Sequence, residues 1–442
     1  MHKFISNYLV IFFFTFCLSI NASGDDSSQT AKDSAQNLAL KNLLIQVINN
    51  HEEIKNFKSQ VEQAKEQHLK SKGLYYPTLD LVADGGREKI NKEYNTDTTE
   101  DRYNITLRAN QLITDFGKTE GTIARSGISL EQAKARLESN RQQLMFEGIK
   151  AYINVVRARE RLKSARQSEA RIKELTGIEE TLVKKGAGLS SDVLQVKSQL
   201  AGAMALRVEA QGELSVAKNR FQAVFYHYLS DKEIAYLKDI EFPYKQLPVE
   251  LENAIAIALK QNPELLITMY NTQLAKKDID IAKTAFYPRL NLFAQALKKD
   301  NDDGIRGYSN ELSAGVELRY NLFSGGRDKA ALKSALASRN AASYHTGHVQ
   351  KIIKEQVSNT WEQLSVLKQR AELLDQQADI VKNFLLLAKK ERTMGTRSLL
   401  DVLNGEINYI NAIATSIAAR QDTKVAAYSL FFAMGNINLQ LF

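Results

Sequence analysis

The chain has 442 residues, and 59 lysines and arginines against 51 acids leave a formal charge of +8. Only 5 prolines and 22 glycines interrupt it and a quarter of it is charged, which excludes collagen-like and disordered chains alike. No apolar run approaches the roughly 18 residues of a membrane-spanning helix. The basic excess is spread along helical stretches instead of gathered in blocks, so no nucleic acid partner is implied.

Residues 1–24 read as a secretory signal peptide, because Lys3 precedes an apolar stretch over 8–20 and the small polar run Asn21-Ala22-Ser23-Gly24 follows. Cleavage after Ala22 and cleavage after Gly24 both fit. The one cysteine, Cys17, lies inside this segment, and Phe14 and Phe16 stand where a lipobox needs small or aliphatic residues. The exported chain is therefore expected to lack disulfides, thiolate metal sites and a cysteine nucleophile.

A first repeat is expected over 25–227. It opens with a helix over about 38–73, which Pro77 brings to an end. Two strands follow within about 77–113. In Tyr103-Asn-Ile105-Thr-Leu107-Arg-Ala109-Asn110 one face is apolar and the other polar, while Leu79-Asp-Leu81-Val-Ala83-Asp84 is shorter and less regular. Such alternation suits a half-buried sheet or a transmembrane barrel, whose strands escape hydropathy analysis. The polar stretch 88–102 between them reads as a hairpin loop. A long helix over 118–185 contains no proline, and Ile123, Leu130, Leu137, Leu144, Ala151 and Ala158 recur at every seventh position. At 1.5 Å per residue it would reach roughly 100 Å, so it needs partners of similar length. Gly186 turns the chain, and a returning helix over 192–226 carries Asp192 in its first turn, where a carboxylate suits the positive helix end. A linker over 228–250 contains Pro243 and Pro248.

Residues 251–442 repeat that order. Tyr76-Pro77-Thr-Leu79-Asp-Leu81 recurs 211 residues later as Tyr287-Pro288-Arg-Leu290-Asn-Leu292. Phe116-Gly117-Lys118 recurs at 209 as Gly325-Gly326-Arg327, and Gly186-Ala-Gly-Leu-Ser-Ser-Asp192-Val193-Leu194 recurs at 209 as Gly395-Thr-Arg-Ser-Leu-Leu-Asp401-Val402-Leu403. Asn50-His-Glu52 and Asn262-Pro-Glu264 add a fourth landmark at 212. Four landmarks in one order mark a duplication. The second repeat is expected to contain a helix over about 251–285 and two strands within about 287–322. Phe293 breaks the alternation of the first strand, and a polar loop over 298–309 follows it. A long helix over 327–394, a returning helix over 401–435 and a short tail complete the repeat. The shorter helices, stacked end to end, would make a second rod beside each long one.

This set of duplicated motifs resembles the TolC family of outer-membrane efflux proteins, over about 38–435. The resemblance implies a mainly α fold with a small β part, in which long antiparallel helical hairpins form a trimeric α-barrel. That barrel would be continuous with a 12-stranded transmembrane β-barrel, four strands per chain. Physics agrees on one point: four strands leave two edges, which lipid does not tolerate, so several chains must close the sheet. The family function is that of a passive homotrimeric exit duct in the cell outer membrane, with a large periplasmic extension. It serves tripartite efflux or type I secretion and is engaged by a periplasmic adaptor (membrane fusion) protein and an inner-membrane pump, ABC or proton-driven.

By the family pattern, Ser191 and Asp192 match positions that tie neighbouring helices together at a closed periplasmic gate. Arg397 matches the arginine that holds the second hairpin shut, and Asp401 an aspartate of an acidic ring. Two positions depart from the pattern: Asn404 replaces a second ring aspartate and Arg392 replaces a tyrosine, leaving fewer negative and more positive charges at the aperture. Lys185, Gly186, Leu189, Gly395 and Thr396 match the hairpin grooves where adaptors dock, and 228–250 matches an equatorial belt.

No cofactor, metal or enzymatic activity is expected. His345 and His348 have a helical spacing that could hold a metal, but no carboxylate or third histidine joins them, and His51, His68 and His227 are scattered. Asp300-Asn-Asp302-Asp303-Gly304 lacks the length and terminal glutamate of a calcium loop. Gly325-Gly326-Arg327 lacks the lysine–serine pair of a phosphate loop. Met145, Trp361 and the cluster 428–434 read as packing. A trimeric coiled-coil structural or adhesive envelope protein would explain the heptads but not the alternating strands.

Overall fold

The computed structural model describes residues 39–442 except 92, 94–96, 244 and 245, so the expected signal peptide lies outside the described residues. In chain order the elements are α1 (Leu40–Asn50), α2 (Glu52–Lys72), β1 (Thr78–Ile90), β2 (Thr98–Thr114), α3 (Lys118–Lys184), α4 (Ser190–Phe225) and the short α5 (Asp231–Tyr236). They continue with α6 (Leu251–Gln261), α7 (Pro263–Lys283), β3 (Arg289–Asp300), β4 (Tyr308–Arg319), α8 (Arg327–Thr393) and α9 (Leu399–Ala433). None of these helices is long and apolar enough to cross a membrane.

Three expectations need correction. The opening helix of each repeat is two helices, not one. Asn262 is extended, and its side chain accepts the N–H groups of Glu264 and Leu265. Pro263 occupies the first helical position, where it lacks an N–H to lose and disfavours helical backbone before it. His51 breaks the first repeat in the same way, its Nδ1 accepting the Glu53 N–H at 3.2 Å, but without a proline. The stretch 228–250 is not linker throughout, because Ser230 and Glu233 cap α5 reciprocally. The strands run further into the polar stretches than expected, β1 to Ile90, β2 from Thr98, β3 to Asp300 and β4 from Tyr308, because pairing continues through polar residues such as Arg87 opposite Asp101.

The four strands form one antiparallel sheet in the order β1-β2-β3-β4, so β1 and β4 are both edges. Register puts Leu81 opposite Leu107, Leu107 opposite Ala296, and Ala296 opposite Leu312. One face of the sheet is thus apolar across its width, and it is bare: Leu79 is 69% exposed and Leu312 86%. The other face is polar. Phe293, the residue that broke the alternation, lies on it over Gly315, where an added Cβ would stand 3.1 Å from the ring. The Arg108 guanidinium sits 5.7 Å from the ring centroid.

Below the sheet the helices form a single layer. α2 and α4 pack in turn along α3, while α7 and α9 lie between α3 and α8. The seams repeat every seven residues, through Ala151, Ala158 and Ala165 on α3, Ala203 and Ala210 on α4, and Ala371 and Ala378 on α8. Small seam residues let helix axes approach closely. The principal core is a belt at mid-height, where α1, α5, α6 and the C-terminal segment close over the rods around Ile149, Phe221, Leu229 and Phe431. There Tyr152 donates its hydroxyl to the Lys238 carbonyl, and burial pushes its pKa up to about 12.

Candidate functional site: the hairpin ends

Both long helices end in the same turn. Gly186 and Gly395 have φ of +73° and +80°, a region open to glycine at no steric cost. The Ala187 N–H returns to the Leu182 carbonyl and the Thr396 N–H to the Glu391 carbonyl, the six-to-one bond of a Schellman end. Lys185, Gly186, Leu189, Gly395 and Thr396 are all exposed at these two ends.

The residues assigned to a gate fall into two groups. Ser191 and Asp192 lie in the first turn of α4, Asp401 in the first turn of α9 and Asn404 in its second, and among the described residues the side chains of Asp192 and Asp401 meet no partner within the chain. Asp401 does not cap α9; Ser398 does, accepting the Asp401 N–H at 3.2 Å. Leu189, in the equivalent place before α4, offers no side-chain cap. The two arginines, in contrast, are already engaged. Arg397 donates to Glu391 of its own hairpin at 2.5 Å and lies 5.2 Å from the Phe384 ring centroid. Arg392 crosses to the other hairpin and reaches Glu179 at 3.1 Å. Arg397 and Asp192 are therefore not brought together within one chain.

Sequence reasoning missed two carboxylates. Glu179 on α3 and Glu406 on α9 are 3% and 0% exposed. Arg171 of α3 donates to Glu406, and the Lys389 ammonium of α8 stands 2.9 Å from the second carboxylate oxygen, off the hydrogen-bonding axis. A signal for one of them was present. Continuing the α3 heptad through Ala165 and Ile172 arrives at Glu179, and continuing the α8 seam through Leu385 arrives at Arg392.

The polar face of the sheet carries its own charge network. Arg102 pairs with Asp84 at 2.7 Å and approaches Asp302, which also accepts from Asn104 at 3.0 Å. The Asn104 hydrogen bond, with Lys299 and Arg102 nearby, holds the Asp302 carboxyl below its usual range. That carboxylate, in the stretch faintly resembling a calcium loop, is thus occupied by cationic side chains. Among the described residues no group of three or more His, Cys, Asp or Glu is arranged to hold a metal.

Comparison with known proteins agrees with this architecture. A family model described as "Outer membrane efflux protein" matches the chain twice, over 43–225 and 254–436, stretches that begin 211 residues apart. The outer membrane efflux protein BepC of Brucella suis is 24% identical over 339 residues, 75% of this chain and 72% of that one. The alkaline protease secretion protein AprF of Pseudomonas aeruginosa is 24% identical over 351 residues, covering 78% and 72%. The solved outer-membrane channel OprN superposes with a TM-score of 0.79 at 20% identity, covering 92% of each chain.

Proposed function

This chain belongs to the outer membrane efflux protein family, and from that premise we propose that three copies close into a passive exit duct through the outer membrane. Each copy would bring two repeats, 25–227 and 251–442, joined by 228–250, after export removes 1–24. The observation that carries the reading is a sheet with two unpaired edges and one largely exposed apolar face. Lipid is the solvent such a face suits, and closure into a barrel is the only way to satisfy its edges there. Two copies would give eight strands and a filled interior, whereas three give twelve and an open lumen.

The helical layer has two edges as well. α8 exposes Val366, Leu373, Ile380 and Leu387 at heptad spacing, and α4 exposes Leu194 and Val208 two heptads apart. Joining α4 of one copy to α8 of the next closes a ring head to tail and covers both stripes. The lumen walls would be the polar face of the sheet above and the inner faces of the rods below.

The periplasmic hairpin ends are the proposed gate. Among the described residues the side chains of Asp192 and Asp401 meet no partner within the copy and can meet a neighbouring one, beside Ser191 and Asn404, while Arg392 and Arg397, each paired with a carboxylate of its own copy, stand beside a ring thinned by Asn404. An adaptor would dock at Lys185, Gly186, Leu189, Gly395 and Thr396, and an inner-membrane pump would supply the energy. The relatives named for efflux and for protease secretion are each 24% identical to this chain, and both kinds of cargo fit the duct. In planar bilayers Arg397→Ala and Asp192→Ala are each expected to raise single-channel conductance; no change in either overturns the gate assignment. In SDS–PAGE of the outer-membrane fraction, the barrel trimer should resist detergent until heated, whereas a plain coiled-coil trimer should dissociate.

A further inference from the structure

We propose that a groove on the outer side of the rods, just below the belt, is a binding site for the clustered carboxylates of an acidic peptide. Which side of the helical layer faces outward rests on the channel reading above.

The groove lies between α3 and α4 beneath α5, with a volume of about 390 Å³. Its walls carry Arg159, Lys163, Arg166 and Lys218 against the single carboxylate of Asp231. Two of these cations are tied to the fold. Arg159 donates to the Ile234 and Leu237 carbonyls at the end of α5, at 3.0 and 2.6 Å. Lys218 stands 3.1 Å from Asp231, but the Asp231 side chain is 94% exposed, so water screens the pair and an incoming anion can replace it. Lys163 and Arg166 are exposed one turn apart on α3, and among the described residues neither meets a carboxylate. Like charges so placed repel, and an anion between them relieves the repulsion. The Gln211 side-chain carbonyl accepts from Arg207 at 3.1 Å, which leaves its amide N–H groups to donate into the groove. Leu162 and Leu214 close the floor with an apolar patch, where opposite charges attract more strongly than in open water.

The opposite face of α3 at the same height is the contrast. There Arg157 pairs with Asp422, Arg161 with Glu213, and Arg220 of α4 with Glu147. Those arginines are satisfied within the copy, whereas Lys163 and Arg166 wait for charge from outside it.

The belt, which includes α5, must lie outside the ring, since three belts inside it would fill the lumen. The groove beneath α5 therefore opens to the periplasm. Lys163 lies roughly 70 Å along α3 from its sheet end, at 1.5 Å per residue. Lipid phosphates are out of reach at that depth. Peptide carboxylates, free in the periplasm or carried by the cell wall, are not. Several on one chain match a guanidinium fork accompanied by two ammonium groups.

Calorimetry with triglutamate on the purified full-length chain tests this. Lys163→Glu with Arg166→Glu is expected to weaken binding about tenfold or more. Lys329→Glu with Lys333→Glu makes the same change of charge on exposed residues at the sheet end of α8, and is expected to leave binding unchanged. No binding, equal weakening by the two pairs, or displacement of triglutamate by an equal concentration of inorganic phosphate overturns the proposal. Co-sedimentation with isolated sacculi separates the two sources: retention of the wild type but not of the Lys163 and Arg166 double variant assigns the wall peptide, and any other result assigns a free peptide. Unchanged conductance of that double variant in planar bilayers verifies that it is folded. A wild-type chain without any pore activity would refute the channel reading instead, leaving the triglutamate titration to decide the groove.

Discussion

The two hairpin ends share a turn and differ in almost everything attached to it. Gly186 and Gly395 take the same left-handed backbone and close the same six-to-one bond. Around the first, Leu189 leaves α4 without a side-chain cap, and the pair Lys197–Glu180, 2.8 Å apart, lies in solvent. Around the second, Ser398 caps α9, Arg397 folds back on Glu391, and Lys389 helps to surround a buried carboxylate. The backbone geometry was retained through the duplication because a positive φ tolerates few substitutes. The side chains were free to diverge, and they left one end without a side-chain cap and gave the other a capping serine and a folded-back arginine.

The largest expected contrast comes from removing one cation at each level of burial. Arg171→Ala leaves Glu406 buried without its cross-hairpin partner, and should lower stability by about 3 kcal/mol. Lys197→Ala removes only an exposed pair and should cost no more than about 0.5 kcal/mol. Thermal unfolding of the purified protein in detergent reads both, and equal losses would mean that Glu406 is not the buried partner described above. Next come the turns themselves. An added Cβ at Gly186 or Gly395 would meet nothing within 4 Å, so the cost of Gly186→Ala and of Gly395→Ala is conformational alone. Each should therefore lose the same amount, about 1–2 kcal/mol. Markedly unequal losses would show that the shared geometry conceals different local strain. The smallest effect belongs to the caps. Ser398→Ala should cost about 1 kcal/mol, and Leu189→Ser should recover a similar fraction at the bare end. Exchange rates of the first turns of α4 and α9 report this directly.

Much of the molecule was legible in the sequence, for reasons that differ from element to element. The strands announced themselves through alternation, because one face meets an apolar medium and the other a polar one all along their length. Phe293 looked like an error in that pattern. It is instead a ring laid over the bare backbone of Gly315, a contact across two strands that no single strand displays. The heptads exposed the rods, but the cap at His51 did not show, since histidine has no strong preference for that position and the flanking residues suit a helix. Asn262 with Pro263 was more readable, because proline itself marks the break.

The candidate gate divides in the same way. Gly186, Gly395, Asp192 and Asp401 could be located from spacing, since each is set by the turn beside it. Glu179 and Arg392 could have been suspected from heptads that run into a charge. Glu406 could not, because nothing near it in sequence distinguishes a seam carboxylate from a surface one.

What the sequence determined by itself is the set of local elements: the duplicated order, the two-faced strands, the long rods and their glycine ends. These follow from periodicity and backbone sterics, which act over a few residues. Only the tertiary structure decided which charges are partners, because Arg171 and Glu406 stand 235 residues apart along the chain. Their pairing depends on which rod lies beside which, and in what register.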